Sequence, residues 1–432
     1  MNLVRNLIKK YKNNKFMSNT IWNIGGKVIQ MVISLIVGMI TARYLGPSNY
    51  GIIGYTASYV TFFSALAQLG FDSVAVKEIL EHPEKQGEVL GSTIFFRIVS
   101  SVVSTAGVAV VVYFTDDGDP LMVWVAFLQS LSLIFQSFEM IHFWYQSRME
   151  TEISVKVQTF AYLVMAGYKV LILALGKDVT WFACSTAIEA AVVSLALLWS
   201  YRRSKGQKLT ISFSCGTEML KYSYHFILSG MMVTIYSHMD KIMLEQMLNE
   251  SAVGYYTAAT KVAQMWSFVL LALINSARPL IITARQQSQE LYVKQNKRLY
   301  AAILWIGIAV AAMMTICGKW IIYIMYGSAY LPATSSLQIS AWYTMFAMLG
   351  SARGIWIVCE NKAKYVKYYL GIGAVLNVVL NYLLIPTYGP GGASAATLIT
   401  QIFTAVFAPA IFKETRSYTK NVVQAFFLKG IR

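Results

Sequence analysis

Twelve apolar stretches alternate with thirteen short polar segments along the chain. The apolar stretches lie at about residues 19–42, 50–71, 89–113, 121–143, 157–176, 181–201, 220–246, 254–283, 299–324, 333–357, 367–386 and 391–412. A helix of about 20 residues crosses the hydrocarbon core of a bilayer, so each stretch predicts one membrane span. The basic residues sharpen this reading, because they fall in every second polar segment. The N-terminus, five loops and the C-terminus hold 26 of the 36 Lys and Arg residues, at about 1–18, 72–88, 144–156, 202–221, 284–298, 359–367 and 413–432. The six segments between them hold only Arg43 and Lys177. That bias is the positive-inside rule, and it predicts a multi-pass protein of a plasma membrane with both termini in the cytoplasm.

Composition agrees. Hydrophobic residues make up 56% of the 432 and charged residues 13%, against about 25% charged in an ordinary soluble domain. The net charge of +16 is segregated by loop, which points to anionic membrane lipids as a partner and not to nucleic acid. Cys184, Cys215, Cys317 and Cys359 show no paired spacing, so neither a disulfide nor a metal site is expected. The N-terminus lacks the apolar core and cleavage site of a signal peptide. Leu3, Val4, Leu7, Ile8 and Tyr11 share one helical face there, opposite Arg5, Lys9 and Lys12. This predicts an interfacial helix. The tail, with Val422, Val423, Phe426 and Phe427 beside Lys420, Lys429 and Arg432, reads the same way.

The longest internal basic loop follows the sixth span and divides the chain into residues 1–206, a linker at 207–219, and residues 220–432. The halves look like repeats. Leu45-Gly46-Pro47-Ser48-Asn49-Tyr50-Gly51 and Leu248-Asn249-Glu250-Ser251-Ala252-Val253-Gly254 share Leu, Ser and Gly at a constant offset. Six spans followed by six in the same orientation predict parallel repeats, related by an axis along the membrane normal. The expected fold is therefore all-α, with twelve transmembrane helices in two six-helix lobes around a central cavity.

Polar residues line single faces of several spans. In the first, Thr20, Asn23, Lys27, Gln30, Ser34 and Thr41 lie within an arc of roughly 80°. The seventh repeats this with Ser223, Gly230, Thr234, Ser237 and Lys241. The third has Thr93, Arg97, Ser100, Ser101 and Ser104, and the fourth has Gln129, Ser132, Gln136 and Glu139. The eighth has Thr257, Lys261, Gln264 and Asn275, with Arg278 at the edge; the twelfth has Ser394, Thr397, Gln401 and Thr404. Small polar residues also serve as glue between membrane helices. Charges are more telling, since one near the bilayer centre costs at least ~2.5–3.5 kcal/mol. Lys27, Arg97, Lys169, Lys241, Lys261, Arg278 and Arg353 lie in spans, against Glu139, Glu189, Asp240 and Glu245. A cationic surplus suits an anion such as a diphosphate. Lys27, Arg97, Lys241, Lys261 and Arg353 are its candidate ligands; Asn23, Gln30, Ser34, Gln136, Gln264 and Asn275 are candidate polar lining. Asp240, Glu139 and His238 are candidates for coupling to a Na+ or H+ gradient. No cofactor is expected. No catalytic motif is present, and outer loops of under ten residues leave little room for chemistry, so a transporter is expected and not an enzyme.

Two segments carry a family resemblance: Thr41-Ala42-Arg43-Tyr44-Leu45-Gly46-Pro47-Ser48-Asn49-Tyr50-Gly51, and Met239-Asp240-Lys241-Ile242-Met243-Leu244 followed by Val253-Gly254-Tyr255-Tyr256 and Ala258. Both resemble the polysaccharide transporter (oligosaccharide flippase) family of the multidrug/oligosaccharidyl-lipid/polysaccharide exporter superfamily. The resemblance implies a flippase that moves undecaprenyl-diphosphate-linked oligosaccharide repeat units from the inner to the outer leaflet of a bacterial plasma membrane. The products would enter O-antigen, capsule or exopolysaccharide, and a polysaccharide polymerase and chain-length machinery would be partners. The competing readings are a drug/cation antiporter of the same superfamily, a membrane-embedded glycan enzyme, and a passive scaffold.

Overall fold

The computed structural model describes residues 15–430, with side chains from Gly25 onward except at residues 27, 73, 226, 228, 229 and 236. The expected N-terminal interfacial helix lies outside the described residues. The rest is helical: α1 (Lys15–Ala67), α2 (Asp72–Glu81), α3 (Gln86–Thr115), α4 (Pro120–Gln136), α5 (Met140–Ser147), α6 (Thr151–Ala174), α7 (Val179–Arg203), α8 (Phe213–Met247), α9 (Glu250–Gln264), α10 (Ser267–Gln287), α11 (Gln289–Tyr326), α12 (Thr334–Cys359), α13 (Val366–Ile402), α14 (Ala408–Ile411) and α15 (Arg416–Phe426). The chain has no strand among the described residues.

These helices form the twelve spans. Eight stretches are long and apolar enough to cross a membrane. Two of them contain two spans each, because α1 breaks at Gly46 (φ 73°) before Pro47 and α13 breaks at Gly389 (φ 55°) before Pro390. Only glycine takes this backbone region without strain, and the proline that follows cannot continue the hydrogen-bond ladder. The α8 and α12 helices complete the set. α8 carries Ser237, His238, Asp240 and Lys241 in one run, which lowers its apolarity. α12 has 26 residues and reaches about 39 Å at 1.5 Å per residue. Side-chain caps start helices where the sequence provides them: Asp119 accepts from the Leu121 N–H, Asn249 from Ala252 and Ser288 from Leu291. One difference from expectation is α2, a ten-residue helix within the polar segment 72–88.

Packing divides the chain into two compact units, residues 1–45 with 56–234, and residues 46–55 with 235–432. The division falls inside α8, and the turn after the first span belongs to the second unit. The core of the first unit gathers Phe71, Ile79, Leu90, Met140, Trp144, Tyr145 and Tyr201 at its basic end. Trp144 Nε1 donates to Gln86 Oε1 at 2.8 Å, and the Tyr145 and Ser200 hydroxyls meet at 2.6 Å.

The segment after α7 is strapped to α3. The Gly87 N–H donates to Gln207 Oε1 at 2.9 Å, Thr210 N–H to Gly87 O at 3.2 Å, and Ser212 N–H to Ser92 Oγ at 2.9 Å. Tyr201 Oη donates to Gln207 O at 2.7 Å. This approach needs glycine, since a Cβ on Gly87 or Gly91 would run into the carbonyls of Lys208 and Thr210. Gly91→Val is expected to lift the strap, seen as new protease cleavage near residue 208. An unchanged digestion pattern would contradict the role assigned to these glycines.

In the second unit, the buried Arg353 guanidinium donates through Nη1 to the Thr404 carbonyl, inside the π-helical turn Phe403–Phe407. It lies 4.8 Å over the Tyr369 ring and 6.0 Å from that of Tyr418. Tyr418, Val422 and Ala425 of α15 are buried, whereas Val423, Phe426 and Phe427 are exposed. The tail is helical, and of the apolar residues expected on its membrane face only Val422 is buried within the protein.

Candidate functional site

A polar cavity of about 260 Å³ lies in each unit. That of the second unit is lined by Ser237 and Asp240 of α8, Tyr256 and Gln264 of α9, Ser267 of α10, Tyr343 and Thr344 of α12, and Thr397 and Gln401 of α13. Asp240 is its centre. The side chain is 2% exposed and accepts three neutral hydrogen bonds. Tyr256 Oη and Thr397 Oγ1 donate to Oδ2, the latter at 2.5 Å, and Asn381 Nδ2 donates to Oδ1 at 2.6 Å. Asn377 and Asn381 are four apart and share a helical face. Asn381 Nδ2 also reaches Asn377 Oδ1 at 3.1 Å, and Asn377 Nδ2 donates to Thr397 Oγ1 at 3.3 Å. One acceptor is left over: Asn381 Oδ1 is buried and has no hydrogen-bond partner. Buried polar atoms are nearly always paired, so this orphan acceptor sets the cluster apart from ordinary core packing. Carboxylate, amide and hydroxyl oxygens are hard donors that suit an alkali-metal ion better than a soft metal. No cluster of three or more His, Cys, Asp or Glu side chains able to hold a metal occurs among the described residues.

Lys241 lies within electrostatic reach of both Lys261 and Asp240. Both lysines are half-buried, Lys241 on α8 and Lys261 on α9, and neither lines the cavity. Gln264 lines it and donates to Tyr343 Oη at 3.4 Å. Gln136 and Glu139 line the other cavity, in the first unit. Arg97 and Arg353 line neither. Arg97, 2% exposed, pairs with Asp72 at 2.8 Å and donates to Met140 Sδ. His238 lines neither cavity and its Nδ1 is buried without a hydrogen-bond partner. Asn275 is exposed and Ser34 half-buried. Gln30 Nε2 donates to Thr159 Oγ1 at 3.3 Å. The Lys27 and Asn23 side chains lie outside the described residues.

Sequence reasoning overlooked Tyr256, Tyr343, Asn377 and Asn381. A signal for the asparagines was present, because two amides four residues apart are conspicuous in the otherwise apolar eleventh span. Thr397 stood on a polar stripe but without a partner.

The sequence profile of a family described as "Polysaccharide biosynthesis protein" matches residues 16–284, more than half of the chain. The chain belongs to this family. Both motif segments quoted above fall inside the match. A curated relative, the "Probable low-salt glycan biosynthesis flippase Agl15" of Haloferax volcanii, is 22% identical over 365 residues, covering 83% of this chain and 75% of the relative. The "Putative O-antigen transporter" of Escherichia coli strain K12 is 20% identical over 379 residues, covering 83% and 87%. Among solved structures, the lipid II flippase MurJ in an inward closed conformation superposes with a TM-score of 0.68 at 13% identity, over 95% of this chain and 91% of that one. An outward-facing multidrug resistance MATE family transporter of the MOP superfamily gives 0.60 at 14%, over 96% and 98%. The family member described here thus has the all-α, twelve-span, two-lobed membrane fold of that superfamily. Both curated relatives are named as a flippase or transporter, in agreement with the expectation of a non-enzymatic protein.

Proposed function

We propose that the protein is a flippase for polyprenyl-diphosphate-linked oligosaccharide repeat units. It carries them from the inner to the outer leaflet of a bacterial plasma membrane by alternating access, with both termini cytoplasmic. The products serve O-antigen, capsule or exopolysaccharide synthesis. The observation that supports this reading is the cavity lined by Tyr256, Tyr343, Gln264 and Ser237, with Lys241 and Lys261 half-buried on α8 and α9, the helices that supply Ser237 and Gln264. Ammonium groups in membrane spans are costly unless an anion joins them, and a diphosphate supplies two phosphates. Phenol rings and amides in the cavity suit sugar faces and hydroxyls. In this reading Arg97 and Arg353, both buried and engaged, serve the fold. Asp240 is the coupling carboxylate and takes up Na+ or H+ during the cycle.

Binding of undecaprenyl diphosphate to the purified protein tests the lysine assignment. Lys261→Glu is expected to weaken it at least ~10-fold, equivalent to ~1.4 kcal/mol. Equal diphosphate affinity in wild type and variant would remove the lysines from the site.

A further inference from the structure

The last span ends in an unusual way. α13 passes at Phe403 into the π-helical turn, where the Ala408 N–H donates to the Phe403 carbonyl five residues back. In this register the Thr404 carbonyl would receive the N–H of residue 409, but Pro409 has none. Arg353 Nη1 takes the freed carbonyl instead. Three more carbonyls at this end are held from the tail. Thr419 Oγ1 of α15 donates to Val406 O at 3.1 Å, Arg416 Nε to Ala410 O at 2.9 Å, and Thr415 Oγ1, just before α15, to Pro409 O at 2.7 Å. The tail thus supplies donors that a helix end otherwise draws from water. One turn earlier in the chain, Gln401 lines the cavity of the second unit, and Thr404 Oγ1 donates to its carbonyl at 3.3 Å.

The outward face of α15 has a different character. Lys420, Val423 and Phe427 are exposed and fall within an arc of about 60°. Lys429 follows, also exposed, and no Asp or Glu occurs after Glu414. Phe426 stacks on Trp305 of α11, with ring centroids 6.0 Å apart and planes at 11°. Trp305 begins an exposed stripe on α11 that continues through Met313, Ile316 and Trp320 to Tyr323. Trp305 and Tyr323 are about 27 Å apart at 1.5 Å per residue, close to the thickness of a hydrocarbon core bounded by its aromatic belts. The stack therefore seats the end of α15 at the membrane surface, with its lysines at the level of the headgroups.

We infer that α15 is a lipid-responsive latch: its outward face binds anionic lipid headgroups, and Thr419 passes the position of the tail to the π-helical turn next to the cavity. The joint has something to gain from a shift. Arg353 Nε and the Tyr418 hydroxyl are buried without a hydrogen-bond partner among the described residues, and each unmet group costs stability. A movement of α15 that satisfies either one carries Thr419 with it, and so moves the turn. Lysines at an anionic surface supply the force for such a movement. The inference rests on the membrane fold and not on the identity of the substrate.

The test uses the full-length protein in nanodiscs of phosphatidylcholine, with and without phosphatidylglycerol. Amide hydrogen exchange is followed in residues 403–412 and 416–430, and the readout is the ratio of rates between the two lipids. Phosphatidylglycerol is expected to slow exchange in both segments by at least about fivefold, the effect of one cation at an anionic surface. Lys420→Glu combined with Lys429→Glu, both at exposed positions, is expected to abolish the response in both. Thr419→Val keeps the shape of the side chain and removes its donor, so the tail should still respond and the turn should not. Thr419→Ser, which keeps the hydroxyl, should restore the response of the turn. Exchange in 403–412 that is equal in the two lipids overturns the latch. So does a response of the turn that survives the double glutamate variant or Thr419→Val.

Discussion

Asp240→Asn is expected to cut transport by about 100-fold while leaving the protein folded and membrane-inserted. The loss corresponds to the ~1–3 kcal/mol over which two linked sites ordinarily communicate. The amide matches the carboxylate in size and still accepts a hydrogen bond from Tyr256 or Thr397 at one oxygen. Its nitrogen replaces a charged acceptor facing Asn381 Nδ2, so one contact becomes donor against donor. The cost to stability is that of one buried hydrogen bond, about 1–3 kcal/mol. Charge is lost altogether, and with it any means of holding a cation or releasing a proton. Asp240→Leu separates the two effects. It strands donors on Tyr256, Asn381 and Thr397 together, so its melting temperature falls well below that of the asparagine variant. Full transport by Asp240→Asn would refute coupling at this carboxylate.

The second large effect is expected at Gly254. A Cβ there would run into the Pro47 carbonyl, and one on Gly51 would run into that of Glu250. Residues 51 and 254 are equivalent in the two repeats, as are 47 and 250, so the two close approaches mirror each other. Small residues permit such backbone contact between membrane helices. Around them, Tyr330 meets the rings of Tyr50 and Tyr255 at 6.4 and 6.1 Å, and Gln246 Nε2 donates to Tyr55 Oη at 2.9 Å. A valine at 254 must push the segment 46–55 out of its seat in the second unit. The expected destabilisation lies at or above the upper end of the ~1–3 kcal/mol typical of overpacking, read as a lower melting temperature in detergent. Gly254→Ala should lie between wild type and valine. A valine variant as stable as wild type would show that the segment has another seat.

The fold was legible because membrane spans announce themselves through length and apolarity, and because loop charge repeats with a period of two. The Leu, Ser and Gly shared by residues 45–51 and 248–254 marked a repeat, and their glycines are where the backbones touch. The site was legible in its charged member Asp240 and in stripe residues such as Ser237, Gln264, Thr397 and Gln401, but not in how they meet. Asp240 and the two lysines stood out as charges in spans. The pairing of Asp240 did not: Asn381 and Thr397 lie 141 and 157 residues further along, and a polar stripe tells which face of a helix is wet without telling which helix it meets. Arg97 shows the same limit from the other side. Its partner, Asp72, lies at the start of a segment that reads as a loop, so an ion pair reaching into a span was invisible.

The most direct test of the central claim is reconstitution into liposomes with a fluorescent polyprenyl-diphosphate oligosaccharide, scored as the fraction that becomes accessible in the opposite leaflet. Protein-dependent movement that is lost in Lys261→Glu is the expected result. Movement no faster than in protein-free liposomes under either a Na+ or an H+ gradient, or movement unchanged by Lys261→Glu, would contradict the account.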